Sequence, residues 1–156
     1  MTVVEKIQAE LKVFEEKKKA LVEELRKEFP TMFNELFEQS ARIDSFTWRQ
    51  YTPYFNDGDT CEFGVYADDP IINDEDIYDI EWYDWKYKYH LRGDKEYANL
   101  LTENPNIDLV ECQLVDDFTK VIDGIPVDFL KDLFGDHCQV TIHRDGSIDV
   151  TEYEHD

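Results

Sequence analysis

The sequence predicts an α+β fold: an antiparallel sheet of four to five strands with helices on one face, preceded by a long N-terminal amphipathic helical arm. Three observations lead there. Val4, Ile7, Leu11, Phe14, Lys18, Leu21 and Leu25 recur in steps of three and four, the spacing of one helix face. Short aromatic and β-branched runs near residues 45–51, 61–66 and 140–153 are separated by Asn, Asp and Gly, which is strand and turn chemistry. Hydrophobic residues make up 42% of the chain and aromatic ones 14%, enough to build a packed core and too many for a disordered acidic chain.

Taken in order, residues 3–28 form the arm, ~39 Å long at 1.5 Å per residue. Its apolar positions make an a/d heptad seam with one break at Lys18. Pro30 ends or kinks this helix near Glu28 and Phe29. A second helix beyond it buries Met32, Phe33, Leu36 and Phe37. Ser45–Tyr51 and Cys61–Tyr66 read as paired strands, the latter with Cys61, Phe63 and Val65 on one face. Between them Asn56-Asp57-Gly58 makes a turn, with Gly58 free to take positive φ. Trp82–Tyr89 alternates as a strand with Tyr83, Trp85, Tyr87 and Tyr89 on one face. That face suits either a core or a protein-binding surface. Helices follow over Asp94–Leu101 and Ile107–Ile122, with Gly124 as a stop, and a short one over Pro126–Phe134 before Gly135. The last element is a hairpin: Val140 and Ile142 lead to the turn Arg144–Ser147, and Ile148, Val150 and Tyr153 return.

Charge is the outlier. The chain carries 37 acids against 16 Lys and Arg, for a net charge of −21. Residues 1–42 hold nine acids and eight bases, whereas residues 43–156 hold 28 acids and eight bases. The partition divides the chain into a nearly neutral helical arm (1–42) and an acidic α+β domain (43–156). The arm fits two uses, a dimerising coiled coil through Val4, Ile7, Leu11, Phe14, Leu21 and Leu25, or a helix packed on its own domain. Direct binding to nucleic acid or an anionic membrane is disfavoured by repulsion. A basic protein partner is favoured for the same reason. Three widely spaced cysteines, Cys61, Cys112 and Cys138, form no disulfide framework and suit a reducing, cytoplasmic setting. No apolar stretch reads as a signal peptide or membrane span.

The densest acids lie in residues 68–84: Asp68, Asp69, Asp74, Glu75, Asp76, Asp79, Glu81 and Asp84, with no base among them. On a helix these would sit about one per ~3 Å, close to the phosphate spacing of a DNA strand, ~3.4 Å. On an extended chain the spacing would be ~7 Å, and acids from elsewhere, such as Asp116, Asp117, Asp123, Asp128 and Asp132, would be needed to complete a phosphate-like surface. Ile77, Ile80, Trp82 and Tyr83 interrupt the run, so one side of it docks on the core.

Other chemistries find little footing. Asp57-Gly58-Asp59 and Asn73-Asp74-Glu75-Asp76 lack the spaced ligands and terminal Glu of a calcium loop. His137 and Cys138 are neighbours and point to opposite faces of a strand; His143 and His155 match no zinc spacing, and there is no C-x-x-C. Neither a phosphate-binding P-loop nor a dinucleotide-binding glycine pattern occurs. No catalytic residue, cofactor or metal is therefore assigned.

The stretch from Phe46-Thr47-Trp48-Arg49-Gln50-Tyr51 through Asn56-Asp57-Gly58-Asp59, together with Phe134-Gly135-Asp136-His137 and Arg144-Asp145-Gly146, resembles small acidic proteins of bacteria and tailed, T4-like phages. The resemblance spans two short blocks and brings no activity of its own. It implies a bacterial host cytoplasm and raises the expectation of an anti-defence inhibitor. The expected function is thus a non-enzymatic acidic inhibitor that mimics DNA and occupies the nucleic-acid-binding surface of a host protein. The rival is a structural, assembly or immunity-type module acting through a hydrophobic interface.

Overall fold

The computed structural model describes residues 2–54, 58–84 and 100–155. Helix α1 (Val3–Glu28) runs into a 3-10 turn (Phe29–Thr31) and a short α2 (Asn34–Gln39). Strands β1 (Ser45–Tyr51), β2 (Gly64–Ile72) and β3 (Glu75–Asp76) follow, then a second 3-10 turn (Ile77–Asp79). Helices α3 (Leu100–Glu103), α4 (Leu109–Asp123) and α5 (Val127–Phe134) precede the hairpin of β4 (Cys138–His143) and β5 (Ile148–Glu152). The five strands form one antiparallel sheet in the order β3-β2-β1-β4-β5. The protein is α+β, with a long N-terminal helix ahead of the sheet.

Local chemistry sets the helix ends. Thr2 accepts from the Glu5 amide at 3.1 Å while the Glu5 carboxylate reaches back to the Thr2 amide, a capping box that opens α1. Arg26 and Lys27 occupy its last turn, where cations suit the helix dipole. Asp108 caps α4 through the Glu111 amide at 3.2 Å. Pro126 stands at the start of α5, and Gly135 after it takes φ +96°, a conformation that a Cβ would penalise.

Strand β1 is central, and its alternation decides the two faces. Phe46, Trp48 and Gln50 point to the helices and are almost completely buried. Phe118 of α4 stacks on Phe33 and Phe46 and meets Phe37 edge-on. Gln50 is the buried polar exception, and it is satisfied: its side chain accepts from Trp48 Nε1 and donates to the carbonyls of Leu130 and Gly135. Those bonds fasten α5 and its C-terminal turn to the sheet. Thr47, Arg49 and Tyr51 alternate with them and project from the opposite face, where Thr47 is also buried.

Several expectations are revised. The second strand begins at Gly64 and runs to Ile72, so it carries Asp68 and Asp69; Cys61 and Phe63 lie before it. Phe33 and Phe37 are buried as expected, but Met32 is exposed, because the chain leaves α1 through the 3-10 turn and turns Met32 outward. Trp82 and Tyr83 pack against the core from turn and irregular backbone, not from a strand; residues 85–89 of that expected strand, and 94–99 of the expected helix, lie outside the described residues. The following helix starts at Leu109 rather than Ile107, since Asp108 caps it.

Among the described residues, helix α1 touches the rest of the protein only near its C-terminal end. Val22 is buried and Leu25 half-buried against the core. Lys18, the break in the seam, reaches Asp132 of α5 at 3.7 Å and lies over the Phe129 ring. Val4, Ile7, Leu11, Phe14 and Leu21 are exposed.

Candidate functional site

The acidic segment occupies one edge of the sheet. In the β1–β2 pairing Thr47 faces Ile71 and Arg49 faces Tyr66. Residues 67–70 therefore stand opposite the single residue Trp48. This bulge includes Pro70, which has no amide to give to a ladder. It turns Asp68 and Asp69 outward while Ala67 and Pro70 stay buried.

After β2 the chain reverses through Asn73 and Asp74, both in the left-handed region at φ 53° and 64°. Two such residues make the tight turn whose twist suits a hairpin. The Asn73 side chain also accepts from the amides of Asp44 and Ser45 and donates to the Arg42 carbonyl. It thereby locks the turn onto the start of β1. Asp76 then caps the 3-10 turn by accepting from the Tyr78 amide. Ile77 and Ile80 are buried, so Tyr78 and Asp79 face solvent.

The segment is thus extended, turned and 3-10, and not a helix. A single-file match to phosphate spacing does not apply to it. Asp68 and Asp69 lie on β2, Asp74, Glu75 and Asp76 at the turn and β3, and Asp79 in the 3-10 turn; these and Glu81 are exposed, and Asp84 is half-buried. Among the described residues, none of those seven exposed carboxylates lies within ion-pair distance of a Lys, Arg or His.

Acids from α4 join this edge. Thr119 donates from its hydroxyl to the Ala67 carbonyl at 3.1 Å, which seats α4 directly over the bulge. The Asp123 carboxyl is raised above the ordinary range, by partial burial first and then by Asp68 and Asp116. The Tyr83 phenol is pushed up to about 12 by burial first, with smaller contributions from the neighbouring Cys112, Asp116, Tyr78 and Asp69. Of the supplementary acids named from sequence, Asp123 is brought near Asp68; Asp116, also close to Asp123, is paired with Lys120 at 3.2 Å. Asp132 is engaged with Lys18.

The face of the sheet that carries Arg49 and Tyr51 continues from this edge and bears rings that sequence reasoning did not single out. Tyr51 stacks on Tyr66 at 4.5 Å, and His155 lies 4.0 Å from Tyr51 and 4.3 Å from Tyr54, centroid to centroid. His137 Nδ1 and His155 Nε2 are 2.7 Å apart, although the two residues looked scattered along the chain. The Arg49 guanidinium sits 4.5 Å above the Tyr153 ring. A cleft of about 280 Å³ joins this face to the acid edge, lined by Arg49, Tyr51, Tyr66, Asp68, Asp69 and Tyr153 among others. Their common signal was the period-two alternation of β1, which assigns Arg49 and Tyr51 to the face opposite Trp48.

Remaining side chains carry structural work. Burial alone would raise the Asp136 carboxyl, but hydrogen bonds from the Thr52 hydroxyl and amide and the His137 amide outweigh it and hold it below the ordinary range. Burial pushes the Cys112 and Cys138 thiols up to about 11, which leaves them protonated and weakly nucleophilic at neutral pH. Among the described residues no group of three or more His, Cys, Asp or Glu is placed to hold a metal ion, and no helix is long and apolar enough to cross a membrane.

No protein-family model, curated protein or solved structure matches the chain.

Proposed function

We propose that this protein is a non-enzymatic acidic binding module that occupies the basic, nucleic-acid-binding surface of another protein, in the manner of a DNA mimic. One observation carries the reading: the exposed carboxylates of Asp68, Asp69, Asp74, Glu75, Asp76, Asp79 and Glu81 have no cation paired with them among the described residues. Unpaired like charge at one edge costs stability by self-repulsion, and a basic partner offsets that cost. Asp123 extends the array from β2 toward α4, where Asp116 is already paired with Lys120. Tyr66 and Tyr78, exposed beside the acids, offer ring faces to Arg or Lys. An anti-defence role against a host nuclease or related protein is the setting this chemistry fits.

The test is binding under a salt gradient. The tagged protein captures partners from bacterial lysate, which are eluted with salt and identified. A basic nucleic-acid-binding partner released at moderate salt supports the reading, because ionic contacts weaken as salt rises. The variant Asp68→Lys, Asp74→Lys, Glu75→Lys, Asp79→Lys then loses that partner while keeping its fold; Asp76 is left intact because it caps the Tyr78 turn. Full retention of binding by this variant overturns the reading.

The exposed seam of α1 favours a second reading, a structural or immunity-type module acting through a hydrophobic interface. Binding of that kind survives high salt and fails on Leu11→Asp with Leu21→Asp.

A further inference from the structure

The seam of α1 is a surface in want of an occupant. One stripe of this helix, through Lys18, Val22, Leu25 and Phe29, packs toward α5 and the core. The same stripe continues past the edge of the domain as Val4, Ile7, Leu11 and Phe14, which are 50–65% exposed. An isolated helix with such a stripe gains most of its stability from whatever covers it.

We propose that the occupant is a second copy of this chain, its α1 lying antiparallel. The pairing sets Leu11 against the partner's Phe14, Ile7 against the partner's Lys18, and Val4 against the partner's Leu21. By the two-fold symmetry each contact occurs twice. The paired stretch, Val4 to Leu21, is ~26 Å long at 1.5 Å per residue.

Charge chooses this arrangement over its competitors. Glu10 and Lys17 flank the seam on the same side, one heptad apart. In the antiparallel register Glu10 meets the partner's Lys17, and Lys17 meets the partner's Glu10. A parallel pair would instead set Glu10 against the partner's Glu15 and bury Lys18 against the partner's Lys18. Sliding the antiparallel pair by one heptad sets Glu10 against the partner's Glu10 in one direction and the partner's Glu24 in the other. Only the proposed register makes opposite charges face each other at these flanking positions.

The foot of the helix supplies a third fit. Leu21, Leu25, Ile125, Pro126 and Phe129 line an apolar groove of about 440 Å³ between α1 and the start of α5. In the proposed register the partner's Val3 and Val4 arrive at the level of Leu21, the mouth of this groove. Val3 is 74% exposed within one copy. The groove thus gives an apolar receptacle to the end of the helix that has none of its own.

This pairing is independent of the acid-edge reading, since the variants that test it lie on α1 alone. Sedimentation velocity of the full chain across micromolar to submillimolar concentrations is expected to show a dimer. Leu11→Asp with Phe14→Asp is expected to give a monomer with an unchanged near-UV circular dichroism spectrum. Glu10→Lys and Lys17→Glu alone are each expected to weaken the dimer by about tenfold, since two attractions become two repulsions of a few tenths of a kcal/mol each. The double exchange, Glu10→Lys with Lys17→Glu, restores it. A monomer at every concentration overturns the proposal, as does a dimer indifferent to Leu11→Asp with Phe14→Asp. A dimer tightened by Glu10→Lys overturns it too, because relief of a Glu10–Glu15 contact is the mark of parallel helices.

Discussion

The Glu111 carboxylate accepts a hydrogen bond from Ser40 Oγ at 2.5 Å and another from the Ala41 amide at 2.6 Å, joining α4 to the end of α2 across 71 residues of chain. Glu111 is only 2% exposed. Ser40 Oγ in turn accepts from the Ile43 amide at 2.8 Å. The carboxylate is thus the hub of a buried polar junction. Glu111→Ala is expected to destabilise the protein by about 2–4 kcal/mol, because it orphans buried donors and opens a cavity. Glu111→Gln, which keeps the volume and one acceptor, should lose less. Urea denaturation of the two variants checks the order.

Asn73 joins the acid edge to β1. Asn73→Gly keeps the left-handed turn but loses three side-chain hydrogen bonds to the backbone around Arg42, Asp44 and Ser45. Asn73→Val loses those bonds and also strains the turn, since a β-branched residue resists φ 53°. The expected costs are about 1–3 kcal/mol for Gly and more for Val. Chemical denaturation measures both, and equal losses would show that the turn geometry contributes nothing.

Self-repulsion at the edge predicts two gains. The folded-state Asp123 carboxyl is raised above its unfolded value by burial, Asp68 and Asp116. A raised carboxyl binds its proton more tightly when folded, so its contribution is greatest at low pH and falls as pH rises through the folded value. At neutral pH the charge is a net cost, and Asp123→Asn should stabilise the protein, by a small margin because the exposed carboxylate is screened by solvent. Raising salt should likewise raise Tm by screening the wider array. Thermal melts of both proteins at low and high salt check this; a Tm that falls on both changes would remove the repulsion argument.

The thiols predict a pattern of labelling and an alkaline limit. Cys61 is half-exposed whereas Cys112 and Cys138 are buried. A maleimide at pH 7 should label Cys61 alone in the native protein and all three in denaturant. Cys112 and Cys138 are raised from 9.0 to about 11 by burial. Their contribution is complete below pH 9.0 and is lost as pH rises toward about 11, on the order of 2 kcal/mol for each thiol. Stability measured by urea titration at pH 8 and pH 10.5 should fall between the two, and Cys112→Ala should flatten that fall.

Local signals served well where one element's own chemistry decides its form. The run from Val4 to Leu25 reads as helix because apolar spacing is written along it, and Pro30 and Gly135 stop helices by their own backbone limits. Ser45–Tyr51 and the β4–β5 hairpin are legible because alternation and a Gly-bearing turn sit within a few residues. Residues 68–84 were not legible in this way. Their acids suit a helix surface or an extended edge equally, and the choice went to the edge because Ile72 pairs with Phe46 and Ile77 docks beneath.

By itself, then, the sequence determined the fold class, the long helix with its apolar seam, and an acidic segment anchored by apolar residues. Tertiary structure alone decided that Asp123 comes near Asp68, that His137 meets His155, and that Arg144 donates to the carbonyls of Phe37, Ser40 and Ile43 at the end of α2. Periodicity and turn chemistry act over a few residues and leave their pattern in the chain. Contacts between residues tens of positions apart depend on how whole elements pack, and no local pattern records them.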